Sequence, residues 1–125
     1  MSTFKYTKEH ECVFIEGDIV WIGISKHAQE ALGDLVFVEL PEIGKKADKG
    51  GDIAVVESVK TAAEVYTPID GEIVEVNEAM SDELELISSP VNEGGWIVKL
   101  KASDSSALDE LMDEAAYTEY LKEVD

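Results

Sequence analysis

Arginine is absent from this 125-residue chain, and only 10 lysines stand against 28 acidic residues. The formal charge of −18 repels phosphate backbones and anionic lipid surfaces, and without a guanidinium there is no bidentate phosphate clamp. This balance excludes nucleic-acid and membrane-surface binding. It suits solubility and also steering onto basic partner surfaces. Cysteine is limited to Cys12, so no internal disulfide can staple the fold, and a reducing compartment fits. The longest apolar run, IVWIGI at 19–24, is far too short to span a bilayer. The N-terminal MSTFKYTKEH has neither the apolar stretch of a secretory signal nor the arginines of a mitochondrial transit peptide. A soluble cytoplasmic protein of one domain over residues 1–125 is the expectation.

The chemistry that side chains supply is equally sparse. Histidine occurs only at His10 and His27. His10 and Cys12 can share a strand face, but no third group is identifiable to orient them as base and nucleophile. No zinc spacing, calcium loop or phosphate loop is present. An enzyme working through its own side chains is not expected.

What the chain does have is short β-branched runs. CVFIE (12–16), IVWIGI (19–24), LVFVEL (35–40), DIAVVE (52–57), AAEVY (62–66), EIVEV (72–76) and WIVKL (96–100) are separated by glycine, proline and Asp-Gly breaks. That spacing predicts an all-β sandwich or barrel. Alternation puts Val36, Val38 and Leu40 on one face. It groups Trp96, Val98 and Leu100 likewise, leaving Lys99 for solvent. Gly51-Asp52-Ile53 is echoed by Gly71-Glu72-Ile73 twenty residues on, as in a sandwich of two related halves. Two places read as helix. Ser25 caps a short one through Leu32 that ends at Gly33. Residues 106–123 carry helical spacing through Leu108, Leu111, Met112, Tyr117, Tyr120 and Leu121, with Ser106 and Asp109 as a variant capping box. The β core is expected over about 4–101 and the helical segment over about 104–124.

One feature resists the solubility reading. In VESVKTAAE (56–64), Lys60 stands between two strand runs with no further basic residue until Lys99. A two-residue hairpin turn would need positive φ at Val59 and Lys60, which β-branched valine resists. A longer turn of type I geometry is expected, with the lysine at its tip. An exposed amine on a four-carbon stem is an attachment point, and acylation would turn it into an uncharged swinging arm.

GDIAVVESVKTAAEVYTPIDGEIVEVN resembles the lipoyl-lysine signature. Over nearly the whole chain, KYTKEHE (5–11), IGISKHAQEALGDLVFVELPEIG (22–44), VVESVK (55–60) and SPVNEGGW (89–96) resemble the H-protein family of the glycine cleavage system in order and spacing. The resemblance implies a mainly β, barrel-sandwich hybrid fold of the lipoyl/biotinyl hammerhead type, with a short helix near 25–32 and C-terminal helices. It implies lipoate in amide linkage to Lys60, with Glu57, Ser58, Val59 and Thr61 recognised around the attachment site. It implies a carrier, not an enzyme. The carrier would take the aminomethyl group of glycine from a pyridoxal-phosphate glycine decarboxylase (P protein) to an aminomethyltransferase (T protein). Reducing equivalents would pass to dihydrolipoamide dehydrogenase (L protein), and a lipoate-attaching enzyme would be a further partner. Glu11, His27 and Glu64 match the positions that line the family's cleft for the loaded arm, where carboxylates would face a cationic amine.

The chain departs from the family pattern at several places. Cys12 stands where tryptophan is usual, Val91 where tyrosine is common, and Thr61 where alanine is frequent. Glu93-Gly94-Gly95-Trp96 replaces a Gly-Glu-Gly-Trp order. Other readings are a divergent H-like protein serving lipoate relay and an unmodified binding protein of the same fold. A biotinyl domain would flank the lysine with methionines, whereas Val59 and Thr61 flank it here. A lipoyl domain of a 2-oxoacid dehydrogenase would be shorter and followed by a linker and a catalytic domain.

Overall fold

The computed structural model of the chain describes residues 3–8, 10–89, 91–103 and 111–124. Its elements run β1 (Thr3–Tyr6), β2 (Glu11–Glu16), β3 (Ile19–Ile24), α1 (Lys26–Leu32), β4 (Leu35–Glu39), β5 (Lys46–Ala47), β6 (Asp52–Ser58), β7 (Ala62–Tyr66), β8 (Gly71–Val76), α2 (Glu78–Asp82), a 3-10 turn (Leu84–Ser88), a π turn (Val91–Gly95), β9 (Val98–Ala102) and α3 (Glu114–Val124). The strands form two antiparallel sheets, ordered β1-β2-β3-β9-β8-β5 and β4-β6-β7. The mainly β sandwich expected from the short runs is present, with open sheets and no closed barrel. The two glycine-led copies, β6 and β8, fall one in each sheet.

Alternation explains which side of each strand is dry. On β3, Val20, Ile22 and Ile24 turn inward, and on β2 Val13 does. They meet Val38 of β4, Ile53 and Val56 of β6, and Val65 of β7, with Ile73 and Leu100 from the far side of the large sheet. Each of these apolar side chains contributes roughly 1.5–3 kcal/mol when fully buried, so the core suffices without a disulfide.

The outer face of β2 and β3 is also covered. Cys12, Phe14 and Val91 form a second cluster with Tyr6, Trp21 and Trp96. The π turn is held there by Asn77, whose amide donates to the carbonyls of Gly94 at 3.0 Å and Trp96 at 2.8 Å. Gly23 permits this approach, because a Cβ on it would lie 2.5 Å from the Gly95 carbonyl oxygen. Burial pushes the Cys12 thiol up to about 11, so it is a packed, protonated group.

Three local expectations change. Lys99 is not left to solvent: its amine lies 3.9 Å from the centroid of Trp21 and 4.6 Å from that of Trp96, and 3.4 Å from Glu75. Trp96 precedes β9 and joins the outer cluster, apart from the inward-facing Val98 and Leu100. Val36 does not share the buried face of Val38, because a register shift between Leu35 and Phe37 turns it outward, to 54% exposure.

At the N-terminal side of the sandwich Ser25 caps α1 as expected, accepting the Ala28 N–H at 3.2 Å. Within the expected helical segment, the chain is extended at Met112 before α3 begins. Met112 exchanges both backbone hydrogen bonds with Tyr6, at 2.7 and 3.0 Å, which requires extended chain there. Asp113 then caps α3 by accepting the Ala116 N–H at 2.8 Å. Ser106, Leu108 and Asp109 lie outside the described residues.

Gly23→Ala should destabilise the fold by about 1–3 kcal/mol through forced displacement of the π turn. The urea midpoint, measured against wild type, checks this. An unchanged midpoint would mean the outer cluster yields freely.

Candidate functional site

The β6–β7 hairpin presents Lys60 on a tip made of Val59, Lys60 and Thr61. The turn closes around Ser58. Its backbone N–H donates to the Thr61 carbonyl at 2.7 Å. Its hydroxyl accepts the N–H groups of Lys60 at 3.2 Å and Thr61 at 3.1 Å, and lies 3.1 Å from the Thr61 carbonyl, to which it donates. A buried serine oxygen therefore takes the acceptor place that a backbone carbonyl holds in an ordinary turn. No tip residue needs positive φ; His10, at φ 71°, is the one non-glycine residue in that region among the described residues. The expected longer turn without left-handed residues is what forms.

The tip is fixed to the neighbouring connection as well. The Val59 N–H donates to the Asp34 carbonyl at 3.2 Å. Gly33 ends α1 at φ 80°, and a Cβ placed on it would sit 3.7 Å from Lys60 Cε and 3.8 Å from Nζ. The lysine stem thus lies over the bare end of α1. Lys60 is exposed, and no hydrogen bond or ion pair holds its amine among the described residues. Around it, Val36, Phe37 and Val59 are 54%, 51% and 70% exposed. Glu57 is half-buried and Thr61 exposed. Thus Ser58 has a structural task besides any role in recognition, while Val59 and Thr61 offer their side chains outward.

The three arm-cleft candidates are not all brought together. Glu11 is buried and receives the Thr7 hydroxyl at 2.7 Å. It lines a cavity of about 630 Å3 with Lys8, Lys49, Tyr66, Thr67 and Met112. Glu64 is exposed on β7 and is linked to that cavity through Tyr66, whose phenol is raised first by its hydrogen bond to the Glu64 carboxylate and then by the charge of Glu64. His27 stands elsewhere. Its ring lies 4.7 Å from that of His10, whose Nδ1 is 2.7 Å from the Tyr117 hydroxyl. That hydroxyl is 2.8 Å from Ser25 Oγ, so His27 belongs to a histidine–tyrosine cluster joining α1 to α3. Tyr66 was missed by sequence reasoning. The available signal was the strand period of two, which places 64 and 66 on one face.

Among the described residues no group of three or more histidine, cysteine or acidic side chains is arranged to hold a metal ion. Nor, among the described residues, is any helix long and apolar enough to cross a membrane.

A family model described as glycine cleavage H-protein matches residues 4–124. The glycine cleavage system H protein of Xanthobacter autotrophicus is 53% identical over 121 residues, 97% of each chain. That of Escherichia coli is 53% identical over 123 residues, covering 98% of this chain and 95% of the relative. The crystal structure of a glycine cleavage system H protein from Mycobacterium marinum superposes with a TM-score of 0.84 at 36% identity, over 95% of this chain and 96% of that one.

Ser58→Ala should loosen the tip, costing about 1–2 kcal/mol for the lost acceptor, with Ser58→Thr retaining most of the bonding. Amide hydrogen exchange at Lys60 and Thr61 is the measurement. Equal protection in Ser58→Ala and wild type would show that the hydroxyl does not close the turn.

Proposed function

The chain belongs to the glycine cleavage H-protein family, and we propose that it works as the lipoyl carrier of that system, with lipoate in amide linkage to Lys60. The observation that carries this reading is an exposed, unpaired amine on a hydrogen-bonded tip. The donor fits the group: an acyl acceptor must be a reachable amine, and losing its charge here breaks no ion pair among the described residues.

The apolar side chains of Val36, Phe37 and Val59, with acids Asp34, Glu39 and Glu57 near them, form a surface for the lipoate-attaching enzyme and for each system partner in turn. When bound, lipoate supplies a dithiolane that takes the aminomethyl group at the glycine decarboxylase (P protein), offers it to the aminomethyltransferase (T protein) and is reoxidised by dihydrolipoamide dehydrogenase (L protein). The chain's own part is to tether, steer and shield. The tether keeps the cargo at high effective concentration near successive partners. The charge of −18 accelerates encounter with basic partner faces. Glu64, four positions beyond Lys60 on β7 and ~13 Å along the strand, and Glu11 in its cavity provide carboxylates for a cationic amine. Tyr66 shares a strand face with Glu64 and places a phenol between it and the Glu11 cavity. His27 contributes indirectly, by packing against His10 beside Glu11. Cytoplasmic placement follows from the same reading.

Two measurements check this. Intact-mass spectrometry of the native protein should show one lipoyl addition in wild type and none in Lys60→Arg; an unmodified wild type after exposure to a competent lipoate-attaching enzyme would overturn the carrier reading. Glu11→Gln should release ammonia from purified aminomethyl-loaded protein about tenfold to hundredfold faster than wild type, the loss expected for one charge-assisted hydrogen bond. An unchanged rate would remove Glu11 from the shielding role.

A further inference from the structure

The described residues hold a second cavity, of about 730 Å3, that the carrier reading leaves unused. Its lining is largely apolar on one side, the floor, with Phe4, Cys12, Ile24, Val91 and the ring of Tyr6, which it shares with the first cavity, and one wall is the α1 face that carries Gln29 and Gly33. Gly33 is also the residue over which the Lys60 stem lies, with Nζ 3.8 Å from the position of its Cβ. The attachment amine therefore sits at the mouth of this cavity. Glu11, Thr67 and Met112, which line the other cavity, do not line this one.

We propose that this cavity is a resting pocket for the arm on Lys60 when the arm is uncharged, distinct from the carboxylate-lined cavity that suits a cationic amine. The inference rests on the lipoyl-lysine reading. Its occupant is identified by tether, length and polarity. The tether begins at the Lys60 amine, beside Gly33. From there α1 extends back over seven residues, ~10 Å of helix, to Ser25 beside the floor, a length comparable to that of an extended eight-carbon acyl chain. A dithiolane at the end of such a chain is apolar and polarisable. The floor offers it Phe4, together with the buried sulfur of Cys12 and the side chains of Ile24 and Val91, and sulfur–aromatic contact is favourable.

The charged groups at this cavity, Lys26, Glu30, Asp34 and Glu114, are all solvent-exposed. They form a hydrated rim around the apolar side chains, of which Cys12, Ile24 and Val91 are buried. A bulky aromatic at position 12 would occupy that floor, so the small Cys12 side chain is what keeps it open. The arm would thus have two parking places, selected by its own charge: the apolar pocket when the dithiolane is empty, the carboxylates when it carries an amine.

The test compares unmodified protein with protein whose complete lipoyl addition at Lys60 has been verified by intact mass. Methyl NMR should show resonances of Ile24 and Val91 shifting on lipoylation, and Cys12→Trp should abolish those shifts. In the oxidised lipoyl form, reduction of the dithiolane by a water-soluble phosphine should be about tenfold slower than for free lipoamide, the protection expected for burial of a small apolar ring. Filling the pocket should restore the free rate. If Cys12→Trp does not fold, the wild type alone decides. Fully lipoylated protein with unmoved methyls and a reduction rate equal to that of free lipoamide would overturn the pocket while sparing the carrier reading. Failure of any lipoyl group to attach would overturn both.

Discussion

One hydroxyl, that of Ser58, closes the β6–β7 turn, and the presentation of Lys60 depends on it. Two consecutive N–H groups, those of Lys60 and Thr61, converge on the same oxygen. Without that acceptor they would have only water or a rearranged turn. With it, three residues form a tip that needs neither glycine nor positive φ, so a long side chain can occupy its centre. The bond from Val59 to the Asp34 carbonyl fixes this tip to the end of α1. A reactive group carried on a firm base explores a smaller volume than one on a loose loop, which raises its useful concentration at a partner.

The base is firm because the large sheet is dry on both sides along β2 and β3. The inner face packs on β4, β6 and β7. The outer face packs on the π turn and the aromatic cluster, where Lys99 sits over Trp21 and Trp96. A half-buried ammonium between aromatic faces, with Glu75 alongside, keeps its charge partly compensated while its stem covers apolar surface. The same outer cluster brings β1, Cys12 and Val91 together at the floor of the second cavity. Covering the sheet and shaping a pocket beside the tether are therefore one packing event.

Charge divides the work between the molecule's surfaces. Most of the acids are exposed and solvated, and they act at long range on encounter. Glu11 is different: burial removes it from water and Thr7 holds its carboxylate. Its side chain therefore acts only at short range, on whatever enters its cavity. Tyr66 lines the cavity that holds Glu11, and its phenol is raised chiefly by Glu64 and to a lesser degree by the charge of Glu11.

Much of the architecture was legible in the order of residues. Period-two apolar runs and their glycine and proline breaks define the strands, because alternation is a local property of extended chain. The poor fit of Val59 to a two-residue turn pointed to a longer tip, and the isolation of Lys60 in sequence matched its exposed amine. Other features were not legible, because they depend on what lies across the fold. Val36 faces out because of a bulge against β6. Lys99 is covered because two tryptophans converge on it. Met112 is extended because Tyr6 pairs with it. Of the cleft candidates, His27 packs on His10 while Glu11 lines the cavity with Tyr66. By itself the sequence determined a β sandwich with a lysine at an exposed hairpin tip, since strand period and turn chemistry act between near neighbours. Only the tertiary structure decided which side chains share a cavity, since that depends on sheet pairing and close contact between residues tens of positions apart.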